Sequence, residues 1–118
     1  MAKENIVIEK SYACALRIIK LYKYLADTHK EYVISKQVLR SGTAIGALLS
    51  ELVYAQSKAD FINKFHIALK ECGETEYWIE MLVGSNAISE QIAKELLQEC
   101  GVIHRMLVKS ITTAKENS

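Results

Sequence analysis

Two pairs of side chains in this sequence combine residue types and spacings that could do chemistry. Cys100 and His104 are four residues apart, so a helix would place two potential metal ligands on one face. Glu71 and Glu74 are three residues apart and could act as paired carboxylates in acid–base chemistry. Each pair is a weak signal, because a core thiol beside a boundary histidine, or two solvated or intersubunit glutamates, give the same spacing. We therefore predict no catalytic residue, no metal site and no cofactor.

Two motif-based sites can be set aside in the same way. A di-iron site in a helical bundle is built with Glu-x-x-His, which this sequence lacks. A phosphate-binding glycine loop needs a strand before it and a Lys-Ser/Thr pair after it, and neither accompanies Gly42 and Gly46. These glycines lie one turn apart in a helical pattern, where each costs about 1 kcal/mol relative to alanine. Their placement predicts that a neighbouring helix packs closely at this point.

Basic residues form the better functional candidate. Lys10, Arg17 and Lys20 lie along one edge of the first predicted helix, and Arg40 could extend this edge from the second. We expect these four cations to contact a nucleic-acid backbone, because an oligomer would repeat them and present many charges to the phosphates at once. Nearby tyrosines could stack on bases, but packing in the core or at subunit boundaries accounts for most of them.

The elements that must position these side chains are predicted to be helices. The chain has 118 residues, half of them hydrophobic, which suits one domain with a real core. It has no proline and five glycines, and no strand-like alternation. Helices are expected at about 6–27, 34–55, 58–83 and 90–114. The sequence therefore predicts an all-α protein, with residues 1–118 forming a single-domain, up-down-up-down antiparallel four-helix bundle.

The first predicted helix is apolar on two sides. One stripe comprises Ile8, Tyr12, Ala15, Leu16, Ile19 and Tyr22. The other comprises Val7, Cys14, Ile18, Leu21 and Leu25. A helix at the surface of a simple bundle needs only one apolar stripe. We therefore expect a second subunit to cover the other side.

A polar network is predicted on and around the third helix. Ser57 is a good N-cap, and Asp60 stands where it can bond back to the backbone. Charged residues then follow on one face of this helix. We expect the network to bridge helices or subunits, with Arg40 or Glu51 as possible partners. Its members are Glu51, Asp60, Lys64, Glu71 and Glu74.

Charge and cysteine content limit the possible partners only slightly. The net charge is +1, but residues 1–70 carry 11 basic and 6 acidic side chains, and residues 71–118 carry 4 and 8. Folding could turn this asymmetry into a basic face beside an acidic one, or into an ordinary solvated surface. Three cysteines without CxxC spacing predict reduced core thiols in a cytoplasmic protein. We expect no membrane span and no signal peptide.

A long series of residues resembles the bacterial four helix bundle protein family, whose members include proteins encoded in intervening sequences of the large-subunit ribosomal RNA gene. The blocks that carry the resemblance extend over nearly the whole chain. They include RSGTAIGA at residues 40–47, AQSKADF at 55–61, IALKE at 67–71, and Tyr77-Trp78. The family is also similar to the accessory variability determinant proteins of diversity-generating retroelements.

This resemblance implies a bundle that assembles into a barrel-like homopentamer. The similar retroelement proteins are basic pentamers that bind nucleic acid and a reverse transcriptase. Our leading hypothesis is therefore a non-enzymatic homo-oligomer that binds RNA or a ribonucleoprotein. A protein–protein interaction scaffold without nucleic-acid binding, docking through the acidic half of the chain, is the alternative. A metal-dependent enzyme is the third possibility.

Overall fold

Four long helices make up most of the chain in the computed structural model, which describes residues 2–117 and the side chains of residues 5–117. They are α1 (Ala2–Asp27), α2 (Ile34–Ser50), α3 (Lys58–Gly84) and α4 (Glu90–Glu116), with a 3-10 helix at Glu51–Tyr54 between α2 and α3. The described residues contain no strand. The predicted all-α four-helix bundle is confirmed.

The second helix is shorter than predicted, because its α-helical part ends at Ser50 and the segment up to Tyr54 is a 3-10 helix. Leu52 is buried in this segment, but Val53 and Tyr54 are 81% and 78% exposed. Since helices in proteins are held mainly by burial of one face, nothing sustains another α-helical turn here. Ala55 then adopts an extended conformation. The other helices extend beyond their predicted ranges, to residues 2, 84 and 116.

Each helix packs against the next one in the chain, and α1 also packs against α4 to close the bundle. The molecule measures 48 × 22 × 19 Å, as expected for long helices lying side by side. All four helices contribute to one core, whose largest fully buried side chains include Phe65, Ile18, Leu25, Ile45, Leu49, Ile79, Leu82, Ile103 and Leu107. None of the described helices is both long and apolar enough to cross a membrane.

The two glycines of α2 lie against α1. A Cβ atom added to Gly42 would overlap Cδ1 of Ile18 and lie 3.1 Å from its Cγ2. A Cβ atom added to Gly46 would lie 3.3 Å from Oγ of Ser11. Both Ile18 and Ser11 are buried. The absence of side chains at these two positions therefore allows the backbones of α1 and α2 to approach closely.

The two apolar stripes of α1 have different environments in the single chain. Val7, Cys14, Ile18, Leu21 and Leu25 are all buried in the core. On an adjoining side of the helix, Tyr12 is 66% exposed and Leu16 is 47% exposed, beside the half-buried Ile8 and Ile19. We call Ile8, Tyr12, Leu16 and Ile19 the outer face of α1. In the single chain this face is only partly covered, since Ile8 packs against the core while Tyr12 and Leu16 stay exposed.

Glu31 caps the N-terminus of α2 from outside the helix. The preceding residue, Val33, offers no side-chain cap. Instead, the Glu31 carboxylate accepts hydrogen bonds from the backbone N–H groups of Val33, Ile34 and Ser35 at 3.1, 2.9 and 2.6 Å. A positive φ of 56° at Lys30 turns the chain just before this cap. One side chain thus satisfies three donors that a helix start leaves unpaired.

Changing Glu31 should therefore weaken the protein in a pH-dependent way. Desolvation opposes ionisation, but the backbone hydrogen bonds prevail and lower the pKa of this carboxyl group. Its contribution is present above the ordinary pKa of glutamate and is lost as the pH falls through the lowered value. We expect Glu31→Gln to cost about 1 kcal/mol at pH 7, as other lost caps do. Urea unfolding should show this difference shrinking as the solution is acidified below about pH 4.

The exposed Glu80 of α3 offers a matched control for this measurement. Glu80→Gln removes the same charge without removing a cap, so its unfolding free energy should stay within about 0.5 kcal/mol of the unchanged protein. An equal loss for Glu31→Gln and Glu80→Gln would contradict the capping role.

Candidate functional site

The basic edge of α1 lies beside α4, and its central cation is engaged there. Arg17 forms an ion pair with Glu95 at 3.1 Å and a second, shorter one with Glu99. Hydrogen bonds from the Gln91 amide and Arg17 lower the pKa of Glu95. The charge of Arg17 is therefore largely balanced within the chain, and a phosphate would have to compete with two carboxylates.

Arg40 is engaged in the same manner between α2 and α3. Its guanidinium pairs with Glu71 at 3.1 Å and, more closely, with Glu74. The Glu71 side chain is only 15% exposed, so this pair is partly removed from water. The two glutamates considered for acid–base chemistry thus share one arginine. This arrangement joins α2 to α3 through both carboxylates.

The charge asymmetry between the two parts of the sequence is partly resolved by these contacts. Both arginines come from the basic part, and all four of their partners come from the acidic part. Antiparallel packing brings α1 beside α4 and α2 beside α3, so opposite charges meet across two seams. Half-exposed pairs of this kind contribute little stability each, about 0–1 kcal/mol. Their main effect is to balance the charge of two of the four predicted cations.

Lys10 and Lys20 remain available on this edge. Both are exposed, and among the described side chains neither takes part in an ion pair. Lys20 lies at a groove of about 460 Å³ between α1 and α4. The groove is also lined by Arg17, Leu21, Tyr24, Ile92 and Leu96. Tyr24 is 43% exposed, so Lys20 and an aromatic ring lie together at the surface of the groove.

The rest of the predicted polar network lies along the α2–α3 seam and around the start of α3. Lys64 Nζ lies 3.2 Å from Oε1 of Glu51. Asp60 accepts a hydrogen bond from the backbone of Gln56 at 3.1 Å, and its own N–H donates to Ser57 Oγ at 3.0 Å. The structure thus uses Asp60 as part of a helix cap.

A buried hydroxyl pair continues this seam inward. Thr75 Oγ1 lies 2.8 Å from both Ser41 Oγ and the carbonyl oxygen of Glu71. Thr75 and Ser41 are fully buried, and these contacts satisfy their polar atoms inside the core. The polar groups of this seam bind one another across α2 and α3, and we assign them a structural role.

Cys100 and His104 each contact residues of α3 in the structure. Cys100 is fully buried, and its backbone carbonyl accepts a hydrogen bond from the Cys72 thiol at 3.5 Å. His104 is half-exposed, with Nδ1 lying 3.3 Å from Oε1 of Glu76. All three cysteines are free and buried. Burial, reinforced by the Glu76 carboxylate, raises the pKa of the Cys72 thiol to about 12.

Sequence reasoning did not identify Glu76 as a neighbour of Cys72 and His104, although its spacing from Cys72 offered a signal. Cys72 and Glu76 are four residues apart on α3, just as Cys100 and His104 are on α4. Two such pairs on helices that pack side by side can bring side chains of both together. The acidic partners of Arg17 gave no comparable signal, because they depend on the relative positions of α1 and α4.

Comparisons with known proteins agree with this architecture. The family model described as 23S rRNA-intervening sequence protein matches residues 3–109. The chain is also similar to a solved structure from Bacteroides thetaiotaomicron, described as a protein with unknown function from the S23 ribosomal protein family. The two are 47% identical, the alignment covers 93% of this chain and 98% of that chain, and the TM-score is 0.91. None of the curated proteins compared with the chain matches it. With a match over most of its length, the chain belongs to the 23S rRNA-intervening sequence protein family.

Proposed function

We propose that this protein is a non-enzymatic homo-oligomer that binds RNA, alone or in a ribonucleoprotein. Subunits associate through the outer face of α1, and the resemblance described above implies a pentamer. The RNA backbone binds along the edge that contains Lys10 and Lys20. The protein acts in the cytoplasm, where its three buried thiols stay reduced.

The exposed apolar outer face of α1 is the observation that carries this proposal. Large apolar residues next to one another at the surface of a folded chain mark an interaction site. Tyr12 and Leu16 are 66% and 47% exposed, and each is one helical turn from a half-buried isoleucine. A second copy of the chain would cover this face, and further copies would cover it in turn around a closed ring.

Ring formation is also what makes the basic edge useful. The two lysines of this edge are too few for tight binding to RNA in a single chain, but a ring repeats them in every subunit. A phosphate backbone that contacts several subunits gains from effective concentration and releases more counterions. Tyr24 lies beside Lys20 at the same groove, where a base could stack on its ring. Arg17 and Arg40 act in this proposal through their ion pairs, and Arg17 joins the RNA site only if phosphate displaces its carboxylates.

The double variant Lys10→Gln/Lys20→Gln tests RNA binding. We expect its affinity for a labelled single-stranded RNA to fall at least about tenfold at moderate salt, because two cations per subunit are lost. The slope of log affinity against log salt should become shallower by about 1.4 for each subunit that contacts the strand. Fluorescence anisotropy over a series of salt concentrations, on protein freed of nucleic acid with nuclease, measures both quantities.

Lys94→Gln/Lys109→Gln is the matched control, since it removes the same charge from α4. It should leave the affinity and the slope nearly unchanged. If both double variants lose the same affinity, binding reflects general charge and the proposed edge is wrong. If the unchanged oligomer binds no RNA but retains one protein partner after nuclease treatment, the interaction scaffold is the better assignment.

A further inference from the structure

One cluster of potential ligands lies away from the outer face of α1 and the basic edge. Cys72 and Glu76 stand one turn apart on α3, opposite His104 of α4. A thiol sulfur, a carboxylate oxygen and an imidazole nitrogen, one from each residue, all lie within 4.8 Å of one another. Among the described side chains this is the one group in which three such donors meet.

The cluster has a buried floor and an open rim. Cys72 is fully buried, whereas the side chains of Glu76 and His104 are 27% and 43% exposed. An ion could therefore enter from solvent between Glu76 and His104 and reach the sulfur. The Cys72 thiol donates to the Cys100 carbonyl of α4 at 3.5 Å, a hydrogen bond that the sulfur gives up when it binds the ion as a thiolate.

We propose that Cys72, Glu76 and His104 bind one divalent transition-metal ion of the zinc class. Zinc takes sulfur, nitrogen and oxygen ligands at about 2.0–2.3 Å in tetrahedral geometry, which sets the donors about 3.3–3.8 Å apart. The Glu76 and His104 donors are already 3.3 Å apart, and the Cys72 sulfur lies within 4.8 Å of both. The separations to the sulfur therefore need to close by at most about 1.5 Å, within reach of the Glu76 and His104 side chains. A thiol with an imidazole selects such a metal over calcium or magnesium, which prefer oxygen alone.

Three protein donors leave one tetrahedral position for water or another group from solvent. The Cys72 proton passes to solvent when the sulfur binds, and the ion neutralises the resulting thiolate and the Glu76 carboxylate. Because its ligands come from both α3 and α4, the ion ties these helices together in the folded chain. Binding to the folded state raises the melting temperature of the protein. This property is independent of the proposed RNA interaction.

Cobalt(II) is a suitable probe, because thiolate coordination gives it a charge-transfer band and tetrahedral sites give it intense visible bands. Full-length protein is treated with chelator and reductant and then titrated with cobalt(II). We expect both bands to saturate at one ion per chain and to disappear when zinc displaces the cobalt. At zinc concentrations about a hundredfold above its dissociation constant, the melting temperature should rise by more than about 5 °C.

His104→Ala and Cys72→Ser separate this site from adventitious binding. His104 is half-exposed, so its loss should leave the helical circular dichroism unchanged while weakening cobalt affinity more than tenfold. Cys72→Ser should abolish the charge-transfer band. His66 is at an exposed position of α3, and His66→Ala should change neither the cobalt affinity nor the charge-transfer band. The proposal is overturned if the unchanged protein gives no saturable spectrum, or if binding survives intact in His104→Ala.

Discussion

We expect Gly42→Val to lower the free energy of unfolding by about 3 kcal/mol. The added Cβ would overlap Ile18 Cδ1 and lie 3.1 Å from Cγ2, and Ile18 is fully buried between α1 and α2. The β-branched side chain of Ile18 has little rotamer freedom within a helix. Either α1 must move away from α2 or Ile18 must adopt a strained rotamer. Urea unfolding at a fixed protein concentration measures the loss, since any oligomer adds a concentration-dependent contribution.

Gly73 and Ile18 provide the controls for this prediction. A Cβ atom added to Gly73 would meet nothing within 4 Å, so Gly73→Ala should gain about 1 kcal/mol from helix propensity alone. Ile18→Val removes Cδ1, the atom that a Cβ at Gly42 overlaps. The double variant Ile18→Val/Gly42→Val should therefore be more stable than the sum of its single effects predicts. Strict additivity would show that close packing at Gly42 is not the cause.

These contacts show how far local sequence signals extend. The cost of two glycines in α2 predicted close packing, because a helix tolerates such a cost only for a reason. The sequence could not identify Ile18 as the residue packed there, since that depends on how α1 and α2 are positioned relative to each other. The end of α2 was mispredicted for a related reason. The sequence predicts a helix up to residue 55, but Val53 and Tyr54 are exposed in the structure, so burial does not hold a further α-helical turn.

The charged residues were harder to interpret than the apolar ones. Lys10, Arg17, Lys20 and Arg40 look alike in the sequence, yet among the side chains of residues 5–117 the carboxylate partners of these four go to the two arginines. An arginine can bind two carboxylates at once through its planar fork of donors, and a lysine offers only a compact charge. Residue type therefore held some information about which cations would be paired. The identity of the partners depended on the tertiary structure.

The capping residue Glu31 and the Cys72–Glu76–His104 cluster are two further differences between sequence and structure. Glu31 lies outside the usual N-cap position, and Lys30 just before it adopts a positive φ. That conformation is uncommon for lysine and has no sequence signature. The cluster needs α3 and α4 in the correct relative position, which spacing within one helix cannot supply.

Removing the apolar outer face of α1 should dissociate the oligomer. The double variant Tyr12→Gln/Leu16→Gln changes two exposed side chains, so the single chain should fold with little loss of stability. At a subunit interface each change loses about 1.5–3 kcal/mol of apolar burial, and their sum weakens each contact by about a hundredfold or more. Light scattering coupled to size exclusion should give a multiple of 13.3 kDa for the unchanged protein and 13.3 kDa for the variant.

Val53→Gln/Tyr54→Gln is the matched control, because it replaces an aliphatic residue and a tyrosine that are 81% and 78% exposed elsewhere. This control should remain oligomeric, and its dissociation instead would place the interface at the 3-10 helix. RNA affinity gives the decisive comparison. Tyr12→Gln/Leu16→Gln keeps Lys10 and Lys20 and changes no charge, so an affinity loss must come from lost multivalency. A monomer that binds RNA as tightly as the oligomer would show that one basic edge is sufficient.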